Sequence, residues 1–142
     1  MLLVTGGAGF IGSNVVAALN EAGRADVVVN DILGSDRKWR NLAKRRLADV
    51  VGPADLMRWL DGRKLDAVIH MGAISDTTAT DADLVIETNF RTSLRLLDWC
   101  TAARVPLTWP RREARSPVMS PSAAAGAVIS RSTMGSSTMG RA

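Results

Sequence analysis

The 142-residue sequence has no tyrosine, one cysteine and one histidine. A lone cysteine, Cys100, excludes an internal disulfide framework and a cysteine-built zinc site. A lone histidine, His70, leaves nothing from which a histidine-rich metal centre is assembled. Long apolar runs are missing too. None approaches the ~20 residues that span a bilayer, so no membrane partner is expected. The opening Met1-Leu2-Leu3-Val4-Thr5-Gly6 has neither a basic segment nor an extended apolar one. It does not read as a secretory leader, and a cytoplasmic location is expected. Hydrophobic residues make up 46% and charged residues 23% of the chain, the balance of a folded globular domain.

The net charge is +4, and its placement matters more than its size. Residues 1–107 hold 13 Lys/Arg and 13 Asp/Glu, so that part is neutral. Residues 108–142 hold five arginines (Arg111, Arg112, Arg115, Arg131 and Arg141) against one acid, Glu113. A basic tail attracts polyanions without specificity, so no specific nucleic-acid partner is expected. The tail also holds three of the five prolines and a near-repeat, Ser132-Thr133-Met134-Gly135 and Ser137-Thr138-Met139-Gly140. It shows no sustained period of 2 or 3.6. Two regions are therefore expected: an ordered part, 1–107, and an irregular basic tail, 108–142.

The first region alternates short β-branched runs with helical patterns, which points to βαβ units and a parallel sheet. Strands are expected over 1–5, 25–31 and 65–71, with another opening near Val105–Thr108. Residues 37–50 read as a basic loop followed by a short strand or turn near 47–50. A helix over 10–22 would place Ile11, Val15, Leu19 and Ala22 on one face and stop at Gly23. Pro53 suits the first turn of a helix over about 54–61, with Leu56, Met57 and Leu60 inward. A long helix over 82–103 would carry Ile86, Phe90, Leu94 and Leu97 as one apolar stripe.

The most informative segment is Thr5-Gly6-Gly7-Ala8-Gly9-Phe10-Ile11-Gly12. Gly6, Gly9 and Gly12 follow a strand and open a helix. The first glycine suits a tight turn, the second leaves room for a pyrophosphate, and the third lets helix and sheet pack closely. The helix N-terminus then offers free amides and a positive dipole end. Asp31 ends the second strand 19 residues after Gly12, where an acid accepts from ribose hydroxyls. Asp31 alone favours NAD. The nearby Arg37, Lys38 and Arg40 favour NADP, whose 2′-phosphate they would neutralise. On these residues both cofactors stand. Gly72 and Ala73, just past the 65–71 strand, are small enough to let a cofactor approach. His70, inside that strand, reads as a hydrogen-bonded core histidine, and Cys100 as a small buried hydrophobe.

Together these residues resemble the extended short-chain dehydrogenase/reductase superfamily of nucleotide-sugar epimerases and dehydratases. The fold this implies is α/β, a Rossmann-like doubly wound parallel sheet, incomplete after about the fifth strand. A narrower likeness is carried by Asp31-Ile32-Leu33, Lys38-Trp39-Arg40-Asn41-Leu42, Ala48-Asp49 and the run from His70 to Thr78. These are similar to the family of ADP-L-glycero-D-manno-heptose 6-epimerases, which serves lipopolysaccharide inner-core synthesis. The likeness covers about residues 1–107, the N-terminal third of a member.

By position, the resemblance implies pyrophosphate contacts at Phe10 and Ile11 and ribose contacts at Asp31 and Ile32. It puts Lys38 at the 2′-phosphate of NADP. Met71, Gly72, Ala73, Ile74 and Ser75 would line the nicotinamide side, and Asn89 matches an asparagine at the start of the long helix. Thr88 and Pro53 depart from the pattern, where members carry a second asparagine and a cofactor-contacting lysine. The implied partner is a nucleotide-diphosphate sugar, ADP-heptose, and the implied state of full-length members is a homo-oligomer. The implied reaction removes hydride from C6 of the heptose and returns it to the other face, with a Tyr-x-x-x-Lys pair as acid and base. This chain has no tyrosine, and its last lysine is Lys64. No catalytic residue is therefore assigned, and the chain is expected to be inactive alone. From about residue 108 the family pattern stops, which reads as an out-of-frame end. Another nucleotide-sugar epimerase or dehydratase, or a non-catalytic NADP-binding regulatory module, are the other readings.

Overall fold

The computed structural model describes residues 1–109, apart from Asp36 and Thr77. The expected tail, 108–142, therefore lies almost wholly outside the described residues. In chain order the strands are β1 (Leu2–Thr5), β2 (Val27–Asn30), β3 (Asp49–Val51), β4 (Ala67–His70) and β5 (Leu107–Thr108). The helices are α1 (Phe10–Glu21), α2 (Leu56–Leu60), α3 (Ala82–Ile86) and α4 (Thr92–Ala103). A 3₁₀ turn, Arg37–Leu42, precedes β3, another, Pro53–Asp55, leads into α2, and a π-helical turn, Glu87–Arg91, joins α3 to α4.

All strand pairs are parallel, in the order β3-β2-β1-β4-β5. Both faces of the central strands are covered, which is why Val27, Val28 and Val29 are apolar without alternation. One face collects Leu3, Val28, Val68 and Val51 with Leu56 and Leu60 of α2 and Leu96 and Cys100 of α4. The other collects Val4, Val27 and Val29 with Val16 of α1 and Leu42. The chain leaves β1 on one side for β2 and β3, then crosses to β4 on the other. That reversal between β1 and β4 is the point where open α/β sheets bind ligands. Among the described residues no helix is long and apolar enough to cross a membrane.

Helix ends follow local chemistry. At Gly23, with φ of +86°, the Arg24 amide donates to Leu19 O at 2.9 Å and the Gly23 amide to Asn20 O at 3.0 Å. This double closure is the stop that a C-terminal glycine allows. α4 ends in the same way, but at Arg104, whose φ of 56° is left-handed without being glycine. There the Val105 amide reaches Cys100 O at 2.8 Å.

Two expected faces are corrected. In α1 the buried positions are Gly12, Ser13 and Val16, while Ile11 is exposed and Val15 and Leu19 only flank the core. Small Gly12 and Ser13 let the helix settle on the β1 turn, which rotates the contact line away from Ile11. In the long helix, Ile86, Phe90, Leu94 and Leu97 are all exposed, and Leu96 and Cys100 meet the sheet. The helix is also broken in pitch by the π-turn, so positions before and after it are out of phase. The apolar stripe exists, but it faces away from the sheet.

Candidate functional site

The turn after β1 is built of backbone packed on backbone. The Gly6 amide donates to Asn30 O at 2.7 Å, and the Gly9 amide to Gly6 O at 3.0 Å. Gly6 has φ of +65°, and a Cβ there would lie 2.7 Å from the Gly72 nitrogen and the Met71 carbonyl. A Cβ on Gly12 would lie 2.1 Å from Gly6 O. A Cβ on Gly9 meets only Gly6 O, at 3.2 Å. Gly9 is thus spared by the protein's own packing more than Gly6 and Gly12 are, and its open side is where a ligand can come close.

α1 begins at this turn. Its N-cap, Gly9, gives no side-chain cap, and no acid stands in the first turn. The opening amides and the positive dipole end are left without a carboxylate of their own helix. Phe10 and Ile11 are exposed beside them. A glycine cradle on an uncapped helix start fits the diphosphate of a dinucleotide.

Asp31 sits just past β2 with its side chain only 7% exposed. Its Oδ2 accepts from the Ala8 amide at 2.8 Å, and its Oδ1 from the Ile32 amide at 2.8 Å and from Lys38 Nζ at 2.5 Å. Asp31, expected at the ribose, and Lys38, expected at the 2′-phosphate, are therefore in contact with each other. Asp31 also ties the end of β2 to the glycine turn after β1. Asn41, which sequence reasoning left without a role, donates from Nδ2 to Ala8 O at 2.8 Å. Only the fold brings it there.

The β4 end carries a continuous hydrogen-bond chain. The Gly72 amide donates to Thr5 Oγ1 at 3.0 Å, and Thr5 Oγ1 lies 2.6 Å from His70 Nδ1. His70 Nε2 lies 2.7 Å from Ser93 Oγ, which donates to Asn89 O at 2.8 Å. For a neutral imidazole, one proton arrangement satisfies all of these. Ser93 spends its proton on Asn89 O, so it accepts from Nε2–H, and Nδ1 accepts from the Thr5 hydroxyl. Burial lowers the His70 pKa, which favours this neutral form with the proton on Nε2. Asn89 then grips Ile74 from both sides: Oδ1 accepts from its amide at 2.6 Å and Nδ2 donates to its carbonyl at 2.9 Å.

Of the residues expected on the nicotinamide side, Met71, Gly72 and Ala73 share one cavity of about 360 Å³ with Asn89, His70 and Ser93. Trp109 lines it too. Ile74 is held by Asn89, and Ser75 follows it as an exposed residue. Thr5 and Ser93 were missed in the sequence. Thr5 is the register partner of His70, and Ser93 lies one helical turn after Asn89. Burial pushes the Cys100 thiol up to about 11, so it is an unreactive core residue. Among the described residues no group of His, Cys, Asp or Glu is arranged for a metal.

The family model for NAD dependent epimerases/dehydratases matches residues 2–125. This chain belongs to the NAD-dependent epimerase/dehydratase family. The match runs past Leu107, where the recognised motifs stop. Among curated relatives, the ADP-L-glycero-D-manno-heptose-6-epimerase of Nitratidesulfovibrio vulgaris is 48% identical over 110 residues, covering 73% of this chain and 34% of the relative. The chain thus spans about a third of that relative's length. The solved structure of the Helicobacter pylori ADP-L-glycero-D-manno-heptose-6-epimerase superposes with a TM-score of 0.66 at 32% identity, covering 76% of this chain and 37% of that one. The Bordetella bronchiseptica enzyme WbmG, solved in complex with NAD and UDP, gives 0.63 at 27% identity, covering 76% of this chain and 36% of that one.

Proposed function

We propose that this chain is the dinucleotide-binding portion of a nucleotide-sugar epimerase of the ADP-heptose 6-epimerase type. The observation that carries this is the glycine cradle on the uncapped start of α1, set at the β1–β4 reversal. Phe10 and Ile11 would take the diphosphate on their amides. Asp31 and Ile32 would face the ribose, and the cavity at Met71–Ala73 would take the nicotinamide, with Ile74, Ser75 and Asn89 at its side. Bound there, the nicotinamide supplies hydride transfer.

NADP is the proposed cofactor, with NAD as the alternative. Lys38 lies against Asp31 and offsets the carboxylate that would otherwise repel a 2′-phosphate. Asn89 and His70 do positioning work. Asn89 holds Ile74, and His70 holds Thr5, which in turn takes the Gly72 amide, so that the cavity floor is set before a ligand arrives. The substrate of the full-length protein would be ADP-heptose. The chain itself would bind cofactor without turnover, because it has no tyrosine to act as acid or base. That same absence favours a non-catalytic binding module as the second reading.

Titration of the full chain with NADP and NAD, followed by assay on ADP-heptose, tests the proposal. Saturable dinucleotide binding without epimerisation is the expected result. Failure of both dinucleotides to bind overturns it, and turnover overturns the inactivity. Recovery of turnover on adding the remaining two thirds of a family member would favour the enzyme reading over the module.

A further inference from the structure

We propose that the indole of Trp109 is the face on which the nicotinamide ring stacks, and that it makes the chain bind an oxidised dinucleotide more tightly than a reduced one. This rests on the reading of the β4-end cavity as the nicotinamide site, and adds to it a residue and a redox preference.

Trp109 stands one residue past β5. The parallel register pairs Ile69 with Thr108, which brings Trp109 level with His70 at the C-terminal ends of the strands. Ligands of open α/β sheets lie at those ends. Both residues line the cavity of about 360 Å³. The family resemblance stops near residue 108 and gives Trp109 no role.

The other side chains of the lining have little left to offer a planar ring. His70 is held through Nδ1 by Thr5 and through Nε2 by Ser93. Ser93 donates to Asn89 O, and the Asn89 amide group is spent on Ile74. No Asp, Glu, Lys or Arg lines the cavity. Trp109, by contrast, is 47% exposed. Among the described residues its indole makes no hydrogen bond, and no cation lies over its ring. The other three tryptophans are engaged. Trp59 donates to Asp49 Oδ2 and has the Arg63 guanidinium 4.3 Å from its ring centre. Trp39 has Arg40 at 5.7 Å, and Trp99 packs against the core.

A free indole face in a cavity without charged side chains selects by charge as well as shape. An oxidised nicotinamide is a flat pyridinium carrying a full positive charge, and a reduced one is neutral. Both gain from stacking on an aromatic face. The oxidised ring alone also gains from the negative potential of that face, and among aromatic side chains tryptophan gives the strongest such attraction. With no carboxylate in the lining, the indole is the side chain that can favour the cation. A contact of this kind at a half-exposed ring corresponds to a preference of about two- to fivefold.

The test titrates oxidised and reduced NADP separately against the full chain and its Trp109→Phe and Trp109→Leu variants. Proton NMR follows the nicotinamide ring and the amides of Gly9, Phe10 and Ile11. The unaltered chain should bind the oxidised form about two- to fivefold more tightly, with the nicotinamide protons moved upfield by the indole. Trp109→Phe should keep part of the preference, and Trp109→Leu should bring the two affinities together. Should Trp109→Leu not fold, the affinity ratio and the upfield shift in the unaltered chain still decide. Equal affinities in the unaltered chain, a preference unchanged in Trp109→Leu, or tighter binding of both forms by that variant (an indole that plugs the cavity) would overturn the proposal. Shifts at the Gly9–Ile11 amides without any at the nicotinamide protons would overturn the stack and leave the cofactor cradle standing. No saturable shift at either end would overturn the cofactor reading, and the stack with it.

Discussion

Replacing Gly12 with alanine isolates the close packing that seats α1 on the sheet. The new Cβ would stand 2.1 Å from Gly6 O and 2.8 Å from Gly7 Cα, both backbone atoms. Real Cβ contacts essentially never fall under 3.0 Å, so helix or turn must move by about the difference, 0.9 Å. Overpacking of this kind costs about 1–3 kcal/mol when side chains can yield. Here the obstacle is a carbonyl held in the turn, so the upper end applies. Alanine returns up to about 1 kcal/mol of helix propensity. The net expectation is a loss of at least about 2 kcal/mol, a large share of the ~5–15 kcal/mol typical of a domain. Gly9→Ala is the control. Its Cβ meets one atom at 3.2 Å, and its φ of −69° suits any residue. It should cost under about 1 kcal/mol in the free chain and yet weaken dinucleotide binding strongly. Urea midpoints of the two variants, with NADP titrations alongside, measure both effects. Equal stability losses, or a Gly9→Ala variant with undiminished affinity, would refute the division of labour between the two glycines.

Further outcomes follow from the same geometry. Burial lowers the His70 pKa, so the unfolded chain takes up that proton first as pH falls. Stability should be full above about pH 6.5 and decline below it by at most ~1.4 kcal/mol per pH unit, read from urea midpoints between pH 8 and 5; a rise on acidification across that range would contradict the neutral relay. Leu96 is fully buried, so Leu96→Ala should cost about 2–5 kcal/mol, whereas the neighbouring exposed Leu97→Ala should cost under about 1, by thermal or urea unfolding. Arg104→Gly relieves a left-handed residue at the end of α4 and should raise stability by about 0.5–1 kcal/mol in the same assay.

The local parts of the fold were legible in the sequence. β1, the glycine turn and α1 are contiguous, and their spacing encodes the geometry directly. Gly23 announced the helix stop, and Leu56 and Leu60 were placed inward correctly because Pro53 set the phase of α2. β3 was only half visible, since three residues carry little periodicity. The two helix faces were misjudged for a physical reason. Periodicity locates an apolar stripe but does not name its partner, and the stripe at Phe90 and Leu94 meets no part of the sheet. Within the candidate site, Asp31 was singled out by its distance along the chain. Its bond to Lys38 was not, nor was the Thr5–His70–Ser93 chain, because these depend on strand register and on how α4 lies over β4.

The central claim is that the backbone amides opening α1 hold a dinucleotide's diphosphate. A crystal structure of the full chain grown with saturating NADP tests it most directly. The diphosphate should lie against the amides of Phe10 and Ile11, over Gly9, with the ribose at Asp31. An empty turn at saturating cofactor, or a dinucleotide bound elsewhere on the sheet, would contradict it.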